Sequence, residues 1–226
     1  MDSDRVSEGP SRPWIYDPQD EDLLSHDGRW RQRRRIAELL RILKRLALRA
    51  DLDEGALSRL ERKLARQVRT FAGAPEIGDR MEYMASLGLT GPRNRLALEM
   101  SGVIGRSNAA SLPMRFLKSQ DGKVCAEVRP DNSHEGPPGC LHGGLIAALF
   151  DEFLGLSQDD LPGPPGLTGT LSVRYIRPTP TDQLLTLMLR SAEVEGRKRL
   201  LKGELWAGGQ CTASCDALFI QPREAG

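Results

Sequence analysis

The chain has 226 residues, 39% of them hydrophobic and 28% charged, which suits a soluble protein of one large domain or two small ones, long enough to bury a core. Thirty-two Lys and Arg against 31 Asp and Glu leave a net charge of +1, so no global field favours nucleic acid or an anionic membrane. No run approaches roughly eighteen apolar residues, the start MDSDRVSEGP lacks the basic-then-apolar pattern of a secretory signal, and four scattered cysteines with three histidines make neither a disulfide scaffold nor a zinc site; a cytoplasmic protein is expected.

The even balance hides a local asymmetry. Residues 1–28 hold eight acidic and two basic side chains, whereas residues 29–69 hold fourteen basic and five acidic ones. With Pro10, Pro13 and Pro18 and little periodic apolar content, the acidic head reads as an extended segment. Trp14, Ile15 and Tyr16 are its adhesive patch, able to dock on the body or on a neighbouring subunit. From Trp30, the residues Ile36, Leu39, Leu40, Leu43, Leu46 and Ala47 recur at helical spacing with Arg33, Arg34, Arg41, Lys44 and Arg45 around them, which predicts an amphipathic helix. Asp51 or Asp53 can cap a second helix bearing Leu57, Leu60, Leu64, Val68 and Phe71, ended by Gly73 and Pro75. The short break between them predicts a basic helical hairpin over 29–75. Its basic faces fit either an anionic partner or the solvated side of a packed helix pair, and the second is the simpler reading.

Residues 76–112 read as a connector with a short helix at 80–87 and a turn at Gly91-Pro92. At about Pro113 the texture becomes β-type, with strands expected at 114–119 and 123–129 joined by the turn pair Asp121-Gly122. The loop Glu135-Gly136-Pro137-Pro138-Gly139 leads into an apolar run, 142–156, too long and too rich in Ala and Leu for a strand and therefore a buried helix. Beyond a second Pro/Gly loop at 162–166, four more strands are expected at 167–177, 183–194, 197–207 and 211–220. Two strands, a long helix and four strands make an α+β domain over 113–226, one helix wrapped by a curved antiparallel sheet, behind an N-terminal helical extension. The apolar strand faces exceed what one helix covers, so a second subunit is expected to cover the rest.

For chemistry the informative stretch is Gly139-Cys140-Leu141-His142-Gly143-Gly144. The histidine and glycines stand at the start of the long helix, where amide N–H groups lack intrahelical partners and can hold an oxyanion. Nine residues past His142, Asp151 interrupts an apolar segment about two and a half turns into the helix. A carboxylate there is either satisfied structurally or emerges into a cleft as a base or nucleophile. Glu152 competes for that role, rotated by about 100° around the helix, and both can equally belong to an exposed polar stripe. Cys211, Cys215 and Cys140 read as packing residues, and His26 and His134 as polar-loop residues.

Four blocks in order resemble the hotdog-fold acyl-CoA thioesterases of the phenylacetate-degradation (PaaI-like) type and their thioesterase-superfamily-member branch. They are Glu135-Gly-Pro-Pro-Gly139, His142-Gly-Gly with Asp151 nine residues on, Thr168-Gly-Thr-Leu-Ser-Val-Arg-Tyr-Ile-Arg-Pro178, and Val194-Glu-Gly-Arg-Lys198. The likeness spans 114–220, nearly half the chain. It implies an acyl-CoA thioester hydrolase, a homodimer or homotetramer whose sites lie at a subunit interface. Asp151 matches the catalytic carboxylate, Gly143 the amide that polarises the thioester carbonyl, His142 the histidine supporting that loop, and Thr168 the Ser or Thr that orients water from the other subunit. Gly144 is expected beside the substrate, and Arg174, Arg177, Arg197 and Lys198 match strand positions that meet the phosphates and pantetheine arm of coenzyme A. An Asn that many relatives carry ahead of the histidine falls here at Glu135-Gly136. The resemblance calls for no metal or redox cofactor, coenzyme A being part of the substrate, and for no nucleic-acid or membrane partner. A different class stays open: a non-catalytic acyl-CoA-binding or regulatory hotdog protein whose basic hairpin recruits a partner.

Overall fold

A computed structural model describes residues 28–79, 82–83, 86, 99–118 and 124–223. The acidic head, most of the helix expected at 80–87, and the Gly91-Pro92 and Asp121-Gly122 turns lie outside the described residues.

Two helices lead the described chain, α1 (Gly28–Ala47) and α2 (Glu54–Ala72). Asp53 sets the start of α2, its carboxylate accepting the Ala56 amide at 2.8 Å, and the Gly73 amide closes the end on the Arg69 carbonyl. The two helices do not pack along each other as a hairpin: α1 lies on the body, and α2 buries no residue. The face that α1 turns inward also differs from the expected leucine stripe. Trp30 and Ala37 are buried, Arg34 forks onto Glu99 at 2.7 Å, and Arg41 donates to the carbonyls of Arg106 and Asn108 at 3.1 and 2.9 Å. These four positions fall three and four residues apart, on one side of the helix. Ile36, Leu39, Leu40 and Leu46 remain exposed. Two of the arginines expected in solvent are therefore anchors, because the buried carboxylate of Glu99 and the turn carbonyls at 106–108 need donors.

The body is a six-stranded antiparallel sheet on a central helix, α3 (Gly143–Ser157). The strands are β1 (Arg115–Lys118), β2 (Val124–Val128), β3 (Leu167–Tyr175), β4 (Leu185–Glu195), β5 (Lys198–Ala207) and β6 (Gln210–Ile220), in the spatial order β1-β2-β4-β5-β6-β3. Every expected strand forms within a few residues of its predicted bounds, and the expected α+β hotdog architecture with its helical extension is the one observed. Strands β4, β5 and β6 alternate, sending Leu185, Leu187, Leu201, Leu205, Ala213, Ala217 and Phe219 into the core. From α3 they receive Ile146, Leu149, Phe150, Phe153 and Leu154. Each fully buried Leu or Phe contributes about 1.5–3 kcal/mol relative to exposure. Gly203 on β5 makes the approach possible: a Cβ there would stand 3.1 Å from Leu154 Cδ2 and 3.4 Å from the Phe150 ring.

The uneven part of the sheet is β3. It forms one edge, and most of its residues are exposed, with Leu167 at 71% and Tyr175 at 54%. A nine-residue edge left open along its length is a template for pairing with another strand. Among the described residues no helix is long and apolar enough to cross a membrane.

Candidate active site

The loop before α3 is stitched from several sides. The Gly136 amide donates to the Cys140 carbonyl at 2.9 Å, the Leu141 amide to Thr179 at 2.7 Å, and the His142 amide to the His134 carbonyl at 3.0 Å. Gly136 lies so close to His142 that a Cβ would stand 3.2 Å from its Cα. Glu135, at the place where relatives carry a carbonyl-polarising Asn, instead accepts the Thr181 hydroxyl at 3.3 Å.

His142 caps α3 through its ring, Nδ1 accepting the Gly144 amide at 3.0 Å. In the neutral imidazole that bond leaves the proton on Nε2. The same bond uses the Gly144 N–H, so Gly144, expected at the substrate, has its amide committed to the cap. The neighbouring Gly143 N–H has no hydrogen-bond partner among the described residues. It is the first amide of α3, at the positive end of the helix, and is the donor the sequence points to.

A residue without a role in the sequence reading completes this end. Tyr175 donates its hydroxyl to the Gly143 carbonyl at 2.9 Å, and its ring lies flat enough on Gly143 that a Cβ there would meet Cε1 and Cζ at 3.4 Å. The peptide groups on either side of Gly143 thus face different tasks: Tyr175 holds the carbonyl, while the N–H is open.

The two carboxylates of α3 are separated by their neighbours. Glu152 accepts the Ser101 hydroxyl at 2.6 Å, and Ser101 also takes the Val103 and Ile104 amides, so Glu152 ties the connector to the helix. Asp151 faces β3, where the Thr168 hydroxyl donates to Oδ1 at 2.8 Å. Oδ2 has no partner among the described residues. The sequence places Thr168 as a contribution from the other subunit, yet here it lies on the Asp151 of its own chain. A bulge explains how: the register of β3 on β6 shifts between Thr168 and Thr170. Strict alternation would send Thr168 and Tyr175, seven residues apart, to opposite faces. The extra residue, Gly169, returns Thr168 to the face that carries Leu171, Val173 and Tyr175 toward α3.

The two halves are therefore set apart along one helix, Gly143 at its start and Asp151 past its middle. Eight residues of α-helix separate Gly143 from Asp151, about 12 Å along the axis. The cations split in the same way. Lys198 pairs with Ile220 and Ile220 with Leu167, which sets Arg197 and Lys198 at the Thr168 end of the sheet, whereas Arg174 pairs with Ser214 at the Tyr175 end. Arg177 holds the Cys211 carbonyl at 3.1 Å, and Arg197 grips the Gln221 carbonyl with Nε and Nη2 at 3.0 and 2.6 Å. Arg174 and Lys198 are exposed and free of hydrogen bonds among the described residues. Their neighbour Arg199 is wholly buried, donating to the Pro162 carbonyl at 2.6 Å.

Cys211 and Cys215 on β6 are kept as protonated thiols. Burial, joined by the charges of Asp216 and Asp151, pushes the Cys215 thiol up to about 12, and burial likewise raises Cys211. Among the described residues no group of three His, Cys, Asp or Glu is placed to hold a metal ion.

No family model matches the chain. Among curated proteins, a segment of 108 residues is 32% identical to human acyl-coenzyme A thioesterase THEM5, covering 47% of this chain and 43% of that one. A segment of 85 residues is 34% identical to acyl-coenzyme A thioesterase THEM4 of Xenopus laevis, covering 38% and 37%. The chain thus spans less than half the length of these two relatives. A solved thioesterase superfamily protein is 30% identical, superposes with a TM-score of 0.69, and is matched over 94% of its length and 83% of this chain. That share exceeds the half of the chain formed by residues 113–226, so the match takes in part of the helical extension as well as the hotdog body. On this near-complete match the chain belongs to the thioesterase superfamily.

Proposed function

We propose that the protein hydrolyses acyl-CoA thioesters to the free acid and coenzyme A, at a site completed by a second copy of the chain. The observation that carries this is Asp151, a carboxylate set in an apolar helix with Oδ1 held by Thr168 and Oδ2 left open, in a chain whose helix start offers the unpaired Gly143 amide. The thioester carbonyl accepts the Gly143 N–H. Asp151 takes a proton from water through Oδ2 while the Thr168 oxygen orients that water, and the resulting hydroxide adds to the carbonyl carbon. Negative charge gathers on the oxygen facing the helix N-terminus. Collapse of the tetrahedral intermediate breaks the C–S bond, and the departing thiolate recovers the proton from Asp151.

The separation within one chain supports a composite site. A carbonyl oxygen about 3 Å from its donor, and a water about 3 Å from the carbonyl carbon, do not bridge about 12 Å of helix. Antiparallel pairing of two open β3 edges about a two-fold axis sets the Thr168 end of one strand beside the Tyr175 end of the other. Asp151 and Thr168 then face Gly143 of the partner subunit. The same operation joins Arg197 and Lys198 of one chain with the partner's Arg174 and Arg177, a set of cations fit for the phosphates of coenzyme A. The coenzyme arrives with the substrate, and this route uses no further cofactor.

The test is thiol release from short, medium, long and aromatic acyl-CoA esters by the wild type and Asp151→Asn. Turnover is expected with at least one ester class and should fall by about 10²–10⁴ in the variant, with the fold intact. An Asp151→Asn protein as active as the wild type contradicts the assignment. Tight acyl-CoA binding without release by the wild type makes the protein a binding module.

A further inference from the structure

Thr168 reaches Asp151 only because β3 carries a bulge, and little of the sheet holds that bulge in place. From Thr170 to Tyr175 the strand pairs regularly with β6, but on the other side of Gly169 just two residues pair, Leu167 with Ile220 and Thr168 with Phe219. Two pairs at the end of an exposed edge strand specify register weakly, and without the extra residue alternation turns Thr168 away from α3. The bulged register therefore needs a hold outside the ladder.

Gln158 is placed to supply it. It follows the last residue of α3, is 1% exposed, and pairs its side-chain amide with both backbone groups of Gly166. Oε1 accepts the Gly166 N–H at 2.8 Å, and Nε2 donates to the Gly166 carbonyl at 3.2 Å. Nε2 also donates to the Gly155 carbonyl at 3.3 Å, which ties the amide back to the helix that carries Asp151. Gly166 in turn lies directly on β6, where a Cβ would stand 2.8 Å from the backbone N and C of Ile220. Arg199 and Gln221 also grip this loop, but each meets one carbonyl, of Pro162 and of Pro164, both at 2.6 Å. Gln158 instead meets the N–H and the C=O of a single residue, as an antiparallel neighbour does, two residues before Thr168. We infer that Gln158 is a positioning residue for the reaction: by pairing with Gly166 it fixes the β3 register in which the Thr168 hydroxyl lies on Asp151 Oδ1. It acts through Thr168, and the inference rests on Asp151 being the base.

The test is a double-mutant cycle on thiol release by the full chain, with an acyl-CoA ester that the wild type turns over. Gln158→Met keeps the length of the side chain and removes the pairing, and Thr168→Val removes the hydroxyl that the pairing positions. Gln158→Met should lower kcat by about tenfold with KM changed by less than about twofold, and should lower kcat by less than about twofold in a chain that already carries Thr168→Val. Equal losses in both backgrounds mark a general loss of folded enzyme and overturn the inference, as does full activity of Gln158→Met. Gln158→Glu, which keeps the acceptor for the Gly166 N–H and loses the amide donor, runs through the same cycle and decides it if the methionine variant does not fold. Asp151→Asn measured alongside separates the two claims. An Asp151→Asn chain as active as the wild type overturns the base and this inference with it, whereas an inactive Asp151→Asn beside a fully active Gln158→Met overturns this inference alone.

Discussion

At Gly143 one peptide unit carries two separable tasks, and substitution can split them. Gly143→Pro removes the free N–H and nothing else from the α3 cap. Proline suits the first helical position, and His142 already holds the extended backbone that a following proline requires, φ −60° and ψ 130°. Gly143→Ala keeps the N–H and adds a Cβ at ordinary contact distance from Tyr175. We expect thiol release to fall by about 10²–10³ in the proline variant and by less than about tenfold in the alanine one, with both chains folded. Equal activity of the two would remove the amide from the mechanism. Tyr175→Phe tests the positioning half: the ring contact remains and the bond to the Gly143 carbonyl is lost. The expected effect is a fall of about tenfold in kcat with KM little changed, for about 1 kcal/mol of lost hydrogen bonding. A change in KM alone would make Tyr175 a substrate contact instead. Asp151, His142 and Gly143 stand out in the sequence as candidates because a carboxylate in an apolar run and a His-Gly-Gly at a helix start are local anomalies. Tyr175 does not, because an edge-strand tyrosine is ordinary until its neighbour across the chain is known.

The elements show why pattern goes only so far. The strands and helices follow from period and turn residues, and their bounds shift by few positions. What the period misassigned was direction. The bulge at Gly169 puts Thr168 on the α3 side against simple alternation, and α1 buries its Trp30–Arg34–Ala37–Arg41 side because Glu99 is 65 residues away in sequence and invisible to a helical wheel. Beneath α1 the short 3-10 turn Asn132–His134 receives the helix, Asn132 donating to the Arg45 carbonyl at 3.4 Å. His134 is buried there. Burial holds its ring below its ordinary value of 6.5, outweighing the attraction of Asp131. The native ring therefore binds fewer protons than the unfolded chain once pH drops below about 6.5, and stability declines as pH falls toward the native value. Asp131 is held below its ordinary carboxylate value: burial alone would raise it, and the bonds from Ser133 and the charges of His134 and Lys44 outweigh that. Its stabilising share is lost only at lower pH. Urea midpoints at fixed protein concentration should drop between about pH 7.5 and pH 5.5, and His134→Asn should flatten that slope. An unaltered slope in the variant would place the pH dependence elsewhere.

For the whole molecule, the proposed site has its two groups about 12 Å apart along one helix. The chain presents an open edge strand, the proposed base Asp151 past the middle of α3, and the proposed donor, the Gly143 amide, at that helix's start. The sequence reading expects a second subunit from the surplus of apolar strand surface, whereas the distance between the two proposed groups follows only from the register of β3 and the length of α3. In the proposed two-fold assembly each site would combine Gly143 of one chain with Asp151 of the other. Co-expressing Asp151→Asn chains with Gly143→Pro chains tests this directly. Each variant is inactive when alone, yet a mixed dimer holds one site with both groups intact. Random assembly makes half the dimers mixed, with one intact site in two, so thiol release should recover to about a quarter of the wild-type rate. A mixture no more active than the two variants measured apart would contradict the account.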